Sequence, residues 1–311
     1  MSKLPFHVVH YSDKDPREHV GGVETFARGL LDLFGDVTFM TPDNLDVDLV
    51  VESRLPVICD YQRVIDWPDE VPVIGFQHGV GAVKFRVTKS YHHWVLARAQ
   101  RKAARRPNTL WVACAEWISE SHGRLYGNQA AHVVYHPIDI TRFDGSLDNR
   151  DSRLVLHDAR TPHKGSKQIE KLSSALPEWR FEGLDCPPEL VPDRMRKAAA
   201  FVHLSKYEGN SIVCNEAMAM DLPCLFTRVG LMQDDHGPDD VAIVDPGSVF
   251  GREGDLVSVV TEFLDSLDSR AFHPRRWILE HATPQRAITG WERVIDTFHR
   301  DFEWPRRAVR R

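Results

Sequence analysis

The sequence predicts an α/β protein built from two doubly wound parallel sheets. Short apolar runs typical of buried strands alternate with helically spaced apolar stripes along the chain. A length of 311 residues with 42% hydrophobic content is enough for two domains with separate cores. A polar stretch, residues 144–153, interrupts the alternation and is typical of a linker. We therefore expect a first domain over residues 1–143 and a second over residues 154–285.

The first domain is predicted to begin with a strand, a glycine loop and a helix. The strand covers residues 6–10, and Gly21 and Gly22 precede an apolar stripe that starts at Phe26 and ends at Phe34. Adjacent glycines let backbone N–H groups at a helix start approach and hold phosphate oxygens. A helix is expected over residues 116–126, and further strands at residues 37–40, 49–51, 57–58, 73–76 and 110–115.

Two polar motifs in this domain invite a chemical interpretation. Gln77-His78-Gly79 follows the strand at residues 73–76, which places His78 at the carboxyl end of a strand. A single histidine is commonly a structural hydrogen-bonding residue, but this location favours contact with a ligand. Asp46-Val47-Asp48 has the form of a metal-binding DxD motif; we interpret it as the polar lead-in to the next strand and predict no metal site.

A basic stretch lies between Glu70 and Glu116, where the chain has no acidic residue. Five of its cations follow the i, i+3, i+4, i+7, i+8 spacing of one helix face: Arg98, Arg101, Lys102, Arg105 and Arg106. Such a stripe suits an anionic acceptor or surface, whether acidic lipid, nucleic acid or phosphorylated glycan. The alternative is a solvated helix face. The formal net charge of -6 argues against extensive coating by nucleic acid.

The most informative stretch of the second domain is residues 200–230. An apolar run at residues 201–204 predicts a buried strand, and residues 207–211 form a polar loop. A helix follows, which we expect Asn210 or Ser211 to cap and Pro223 to end. Glu208 then lies at the carboxyl end of a strand and Glu216 on the next helix, so both carboxylates can face the crevice where open α/β sheets bind ligands.

Glu208 and Glu216, separated by seven residues and followed by Ala217-Met218-Ala219 and Leu222-Pro223, resemble a family signature. The pattern is similar to the E-x7-E motif of the retaining nucleotide-sugar glycosyltransferases of the GT-B fold, family 4 type. Asp221 stands where that family usually has glycine. The resemblance implies two Rossmann-like doubly wound domains that face a central cleft. It also implies that Glu208 binds hydroxyls of the donor sugar and that Glu216 binds the ribose.

The resemblance assigns roles to further residues. In the first domain, Gly21 and Gly22 would face the donor diphosphate, and His78 would contact the donor sugar or the acceptor. The segment at residues 157–165 is similar to the family's G-R-x4-K-G, with one residue fewer between Arg160 and Lys164 and with Ala159 in place of glycine. These two cations would stabilise the leaving diphosphate. The remaining donor-binding residues implied are Gly209, Asn210, Ser211 and Gly230.

The boundary segments also resemble the family. Residues 133–143, which include His136-Pro137 where the family has Asn-Gly, are similar to the segment that closes its first domain. The resemblance implies that a last helix, at residues 286–304, crosses back onto that domain. The basic tail at residues 305–311 is expected to be disordered.

The function implied is transfer of a hexose or pentose from a nucleotide diphosphate to a hydroxyl, with retained configuration, front-face displacement and no required metal or cofactor. The acceptor stays open among glycans, lipid-linked glycans, proteins and a modified DNA base, and so does the oligomeric state. Two alternatives are a nucleotide-sugar epimerase of the same architecture and a non-catalytic nucleotide-sugar-binding module. The epimerase would need acid and base carboxylates around the sugar.

Composition and termini favour a cytoplasmic location, with a peripheral position on the inner face of a membrane as an open alternative. The chain begins with a strand instead of a signal-peptide core, and no apolar run approaches the roughly 20 residues that cross a bilayer. Its five cysteines contain no CxxC pair and are expected to be reduced thiols: Cys59, Cys114, Cys186, Cys214 and Cys224.

Overall fold

The computed structural model describes residues 3–19, 21–146, 150–251 and 255–305. The chain forms two compact units, of which the first joins residues 1–137 to residues 284–311 and the second covers residues 138–283. Residues 138–143, which were expected to close the first domain, pack in the second unit, where Arg275 donates to the carbonyls of Ile140 and Phe143. Part of the expected linker (147–149) and most of the basic tail (306–311) lie outside the described residues.

The part of the first unit that the structure describes contains a sheet of six parallel strands. In chain order they are β1 (Leu4–Tyr11), β2 (Phe34–Met40), β3 (Val57–Asp60), β4 (Val73–Gln77), β5 (Thr109–Ala113) and β6 (His132–Val133). Their spatial order is β2-β1-β3-β4-β5-β6, and Val9 of β1 is in register with Val57 of β3. The strand order reverses between β1 and β3, which makes that position the topological switch point where such sheets bind ligands.

The helices that connect these strands are α1 (Gly22–Leu33), α2 (Val47–Ser53), α3 (Gly81–Thr88), α4 (Tyr91–Ala103) and α5 (Glu116–Tyr126). The prediction of a strand at residues 49–51 is wrong, because these residues lie in α2. Asp46 caps that helix by accepting from the Leu49 N–H at 2.9 Å, and Val47, Val50 and Val51 bury one face. The apolar stripe of α1 ends one residue early, since Phe34 is already the first residue of β2.

Five parallel strands are present in the described residues of the second unit. They are β7 (Asp151–His157), β8 (Arg180–Gly183), β9 (Ala198–His203), β10 (Cys224–Thr227) and β11 (Ala242–Val244), in the order β11-β10-β9-β7-β8. The switch point is therefore between β7 and β9. β7 begins inside the expected linker, because its first residue, Asp151, already pairs with Ala198 of β9.

Within its described residues, this unit has the helices α6 (Ser166–Ala175), α7 (Val191–Arg196), α8 (Ile212–Ala219), α9 (Pro246–Phe250), α10 (Leu256–Asp265) and α11 (Arg275–His281). Strand residues such as Val155, Val202 and Leu225 form one core cluster with Leu172 of α6 and Val260 of α10. The sheet is thus covered by helices on its faces, as its near-continuous apolar strands require.

The last helix, α12 (Pro284–Asp301), belongs to the first unit. Its buried stripe includes Trp291, whose ring lies 5.8 Å from that of Phe34 and 5.6 Å from that of Phe76. The segment expected to form a final helix on the first domain therefore packs there through an aromatic contact. None of the described helices has the length and apolarity needed to cross a membrane.

Candidate functional site

Five charged side chains meet at the switch point of the second unit. Asp158 directly follows β7, and Arg160 and Lys164 come from the next loop. His203 is the last residue of β9, and Glu208 follows in the loop before α8. Because β7 and β9 are neighbouring parallel strands, their carboxyl ends bring these residues to one edge of the sheet.

The five side chains form a charge network in which cations and carboxylates alternate. The buried Asp158 accepts from Arg160 Nε at 2.7 Å through Oδ1 and from Lys164 Nζ at 2.7 Å through Oδ2. The Lys164 ammonium lies 3.7 Å from Glu208 Oε1, and His203 Nε2 lies 2.9 Å from the same oxygen. Lys164 is thereby held between two carboxylates, and Glu208 between two cations.

These contacts keep His203 and Lys164 positively charged and Glu208 negatively charged at neutral pH. Burial lowers the pKa of His203, but its contacts with Cys214 and Glu208 outweigh that effect and raise the pKa to about 10. Burial raises the pKa of Glu208, but His203 and Lys164 lower it to about 2. Burial also lowers the pKa of Lys164, and Glu208 and Asp158 raise it above its ordinary value. Glu208 is therefore a carboxylate that only accepts hydrogen bonds.

The loop between Glu208 and α8 places the remaining predicted donor residues. Ser211 is the N-cap position of α8, but its side chain does not cap the helix. The Asn210 Oδ1 atom instead accepts from the buried Asn215 Nδ2 at 2.8 Å. The predicted cap by the Ser211 side chain is therefore wrong, and Asn210 instead joins the loop to α8 through this amide pair.

Gly230 supports this loop from the next one. Its φ of +63° lies in the left-handed region, and a Cβ there would come within 2.8 Å of both the Glu208 Cβ and the Gly209 carbonyl oxygen. A small pocket lined by His203, Glu208, Ser211 and Thr227 lies beside it. Gly230 thus allows the two loops to touch, and a larger residue would displace Glu208.

Glu216 lies on α8 as a half-buried carboxyl. Burial is the main cause that raises its pKa to about 7, while Arg142 acts to lower it and Asp158 to raise it. This group is therefore poised between its protonated and ionised forms at neutral pH, in contrast to Glu208.

A second cluster lies at the switch point of the first unit. His78 Nε2 is 3.0 Å from Asp60 Oδ1, and the buried His10 Nε2 is 3.4 Å from the same oxygen. Burial raises the pKa of Asp60, but the contacts with His10 and His78 outweigh that effect and hold the pKa well below its usual range. His136 stacks on His78 with 5.9 Å between ring centroids, and burial lowers the pKa of His136 to about 3.

The glycine loop ends at the start of α1. Gly21 is the N-cap residue in an extended conformation, and Gly22 is the first helical residue. A Cβ at Gly22 would meet no atom within 4 Å, so packing does not require glycine there. A Cβ at Gly21 would meet only the carboxyl end of the Glu24 side chain, which is flexible.

The basic stripe is shorter than predicted. Arg98, Arg101 and Lys102 are exposed on α4, and Arg105 is exposed just beyond its end. Arg106 is buried and donates to the carbonyls of Pro68, Val71, Pro107 and Asn108 and to the Thr109 hydroxyl. Its inclusion in a binding surface is wrong, because its guanidinium joins loops inside the unit.

Asp60, Asp158 and His203 were not predicted as site residues from the sequence. Each one ends a buried strand or directly follows it, which is the same signal that pointed to His78. Across residues 3–19, 21–146, 150–251 and 255–305, no group of three histidine, cysteine, aspartate or glutamate side chains has the geometry to hold a metal ion.

Comparison with known proteins agrees with this architecture. Residues 122–257 match the family model described as glycosyl transferases group 1. No curated protein sequence matches the chain. Among solved structures, sucrose-phosphate synthase from Thermosynechococcus elongatus superposes with a TM-score of 0.72 at 14% identity, over 95% of this chain and 100% of that one.

Two further solved structures are similar. Anabaena HepE in complex with UDP and glucose has a TM-score of 0.66 at 14% identity, over 93% of this chain and 99% of its own. The lipopolysaccharide outer core galactosyltransferase WaaB has a TM-score of 0.63 at 14% identity, over 94% of this chain and 99% of its own. The fold is therefore GT-B, with two Rossmann-like domains, and the matched domain makes the chain a glycosyltransferase by class.

Proposed function

We propose that the protein is a retaining glycosyltransferase that moves a sugar from a nucleotide diphosphate to a hydroxyl acceptor. The observation that carries this proposal is the charge network at the switch point of the second unit. It offers two cations for a diphosphate and a fixed carboxylate for sugar hydroxyls within one loop cluster.

The two cations would act differently on the diphosphate. Lys164 is held between Asp158 and Glu208 with 28% of its side chain exposed, so it provides a fixed positive charge. Arg160 is 67% exposed and bonded only through Nε to Asp158, which leaves its terminal nitrogens able to turn toward phosphate oxygens. Two protein cations neutralise much of the charge that develops on the leaving diphosphate, so the proposal requires no metal.

The two glutamates would orient the sugar and the nucleoside. Glu208 is ionised and its Oε1 atom faces His203 and Lys164, so its second oxygen can accept from a sugar hydroxyl. Glu216 would accept from the ribose hydroxyls. Gly209, Asn210, Ser211 and Gly230 would shape the loops around the donor.

The reaction follows from the charges. When the bond between the anomeric carbon and the phosphate oxygen breaks, its electron pair stays on the phosphate, beside Lys164 and Arg160. The acceptor hydroxyl then attacks from the same face, and its proton passes to the leaving phosphate oxygen. Configuration is therefore retained without a covalent enzyme intermediate.

The first unit would contribute His78 and the glycine loop. Asp60 fixes the His78 ring through Nε2, so this histidine can position a hydroxyl of the donor or acceptor. The open space above Gly22 leaves room for a diphosphate to approach the backbone N–H groups at the start of α1.

We also place the protein in the cytoplasm, since all five cysteines are free thiols.

The test begins with UDP, because the similar HepE structure was solved with UDP and glucose. Binding of UDP, GDP, ADP and dTDP to the full chain is measured by calorimetry, and UDP-sugars are then assayed for transfer and for hydrolysis. Lys164→Met should lower turnover by about 10²- to 10³-fold, whereas Lys167→Met, which changes an exposed lysine on α6, should leave it unchanged. Product NMR should show the donor's anomeric configuration.

Three results would contradict the proposal in different ways. Binding without transfer or hydrolysis would indicate a non-catalytic binding module. Interconversion of sugar epimers would indicate an epimerase, and an inverted product would exclude front-face displacement.

A further inference from the structure

One face of α4 turns apolar and cationic side chains to solvent. The face follows helical spacing and consists of Tyr91, Trp94, Val95, Arg98, Arg101 and Lys102, all of which are exposed. The opposite side of the helix is anchored. Gln100 there is buried, accepts from the Gly81 N–H at 2.7 Å and donates to the Gly79 carbonyl at 3.0 Å. The orientation of the exposed face is therefore fixed by the fold.

The first two turns of this face are apolar. Tyr91 is 75% exposed, Trp94 38% and Val95 43%. The Tyr91 and Trp94 rings stack with 5.5 Å between centroids, and the Arg98 guanidinium lies 4.9 Å from the Trp94 ring. In the described part of the chain eight large hydrophobic side chains are exposed, and three of them lie within residues 91–95. They form a patch, and contiguous exposed apolar patches mark binding surfaces.

The rest of the surface is cationic and lacks compensating charge. Arg86 and Lys89, at the end of α3, add to Arg98, Arg101, Lys102 and Arg105. None of these six cations forms an ion pair within the described residues, and the chain has no acidic residue between Glu70 and Glu116.

We propose that this face of α4 docks on the surface of an anionic lipid bilayer. Tyrosine and tryptophan rings are favoured at the headgroup level of a membrane, and arginine and lysine in the adjacent turns reach its phosphates. The aliphatic Val95 between them gains free energy from the acyl boundary but not from a polyanion such as nucleic acid. This attachment goes beyond the sugar transfer proposed above and does not depend on it.

The test measures sedimentation of the full chain with vesicles of phosphatidylcholine alone or mixed with phosphatidylglycerol. The protein should bind only the mixed vesicles, and more weakly at high salt. Each basic residue near an anionic surface contributes about fivefold in partitioning, so a combined Arg98→Gln, Arg101→Gln, Lys102→Gln variant should lose about 100-fold. Trp94→Ser should also lower binding at constant charge.

The matched control removes three exposed lysines from the second unit: Lys167→Gln, Lys171→Gln and Lys197→Gln. It should bind the mixed vesicles as the unaltered chain does. Circular dichroism checks that each variant is folded. If the triple variant is unfolded, the single variant Arg98→Gln replaces it.

The proposal is overturned if the mixed vesicles do not bind, if the control loses as much as the α4 variant, or if Trp94→Ser has no effect. It is also overturned if duplex DNA binds more tightly than vesicles and the α4 cations account for that binding. In that case the surface is a nucleic-acid site.

Discussion

Replacing Glu216 with glutamine should stabilise the protein above neutral pH while weakening donor binding. The pKa of this carboxyl is about 7 in the folded chain against an ordinary 4.5. Between those values the folded protein keeps a proton that the unfolded chain has released, so stability falls as pH rises. The difference corresponds to about 3 kcal/mol at 1.36 kcal/mol per pKa unit, and partial solvent access reduces this to about 1.5 kcal/mol.

Glu216→Gln removes this cost. The melting temperature at about pH 8 should rise by roughly 3 to 6 °C, and at about pH 5 most of the gain should be absent. Glu170→Gln, at an exposed position on α6, is the matched control and should show no such pH-dependent gain. An equal melting temperature for the Glu216 variant and the unaltered chain at pH 8 would show that Glu216 is not desolvated.

The same variant tests the proposed contact with ribose. Loss of a hydrogen bond to a charged group costs about 1.5 to 3 kcal/mol, so UDP affinity should fall by about tenfold or more. In the unaltered protein, UDP should bind more weakly as pH falls below about 7, because binding then requires Glu216 to release a proton. Calorimetry across this pH range would show how UDP affinity depends on pH. An affinity that does not change with pH would show that Glu216 does not contact the donor.

Four other variants test the loops. Lys164→Met should lower kcat by about 10²- to 10³-fold, since one lost electrostatic contact costs about 2.7 to 4 kcal/mol, and single-turnover assays would show it. Asp158→Asn should destabilise the fold by about 2 kcal/mol in urea unfolding, because Lys164 and Arg160 lose their shared buried carboxylate. Gly230→Ala should lower the free energy of unfolding by about 2 to 3 kcal/mol, because of the left-handed φ and the contact with Glu208. Gly22→Ala should leave stability unchanged and weaken UDP binding. Equal UDP affinity in the Gly22 variant would refute a role of the glycine loop in donor binding.

Local pattern sufficed for the strands and helices that bury a regular face. The helix predicted at residues 116–126 is α5 with identical bounds, and Gly127 ends it in a left-handed conformation. Residues 49–51 were misassigned because three apolar residues in a row fit either a strand or a helix. Only the Asp46 cap and the buried Val47, Val50 and Val51 decide for the helix.

Spacing also could not show where a helix stops. Arg106 continues the spacing of Arg98 and Arg101, but α4 ends at Ala103. The chain then turns so that Arg106 reaches carbonyls near residues 68 and 71, almost 40 positions earlier. A helical projection cannot represent such a contact.

By itself the sequence determined the two α/β sheets, the E-x7-E motif and the polar residues that follow buried strands. Those features are local, since each depends on residues a few positions apart. The tertiary structure decided which of these residues act together. Asp60 reaches His78 because β3 and β4 are neighbours, and Asp158 joins Lys164 to Glu208 because β7 lies beside β9.

Asp221 shows the same division within one residue. Its φ of 55° lies in the left-handed region, which strains residues with a Cβ and favours glycine. The sequence could not show why aspartate is present. Its Oδ1 atom accepts from the N–H of Arg275 at 3.1 Å, at the start of α11, so a contact 54 positions away offsets the strain.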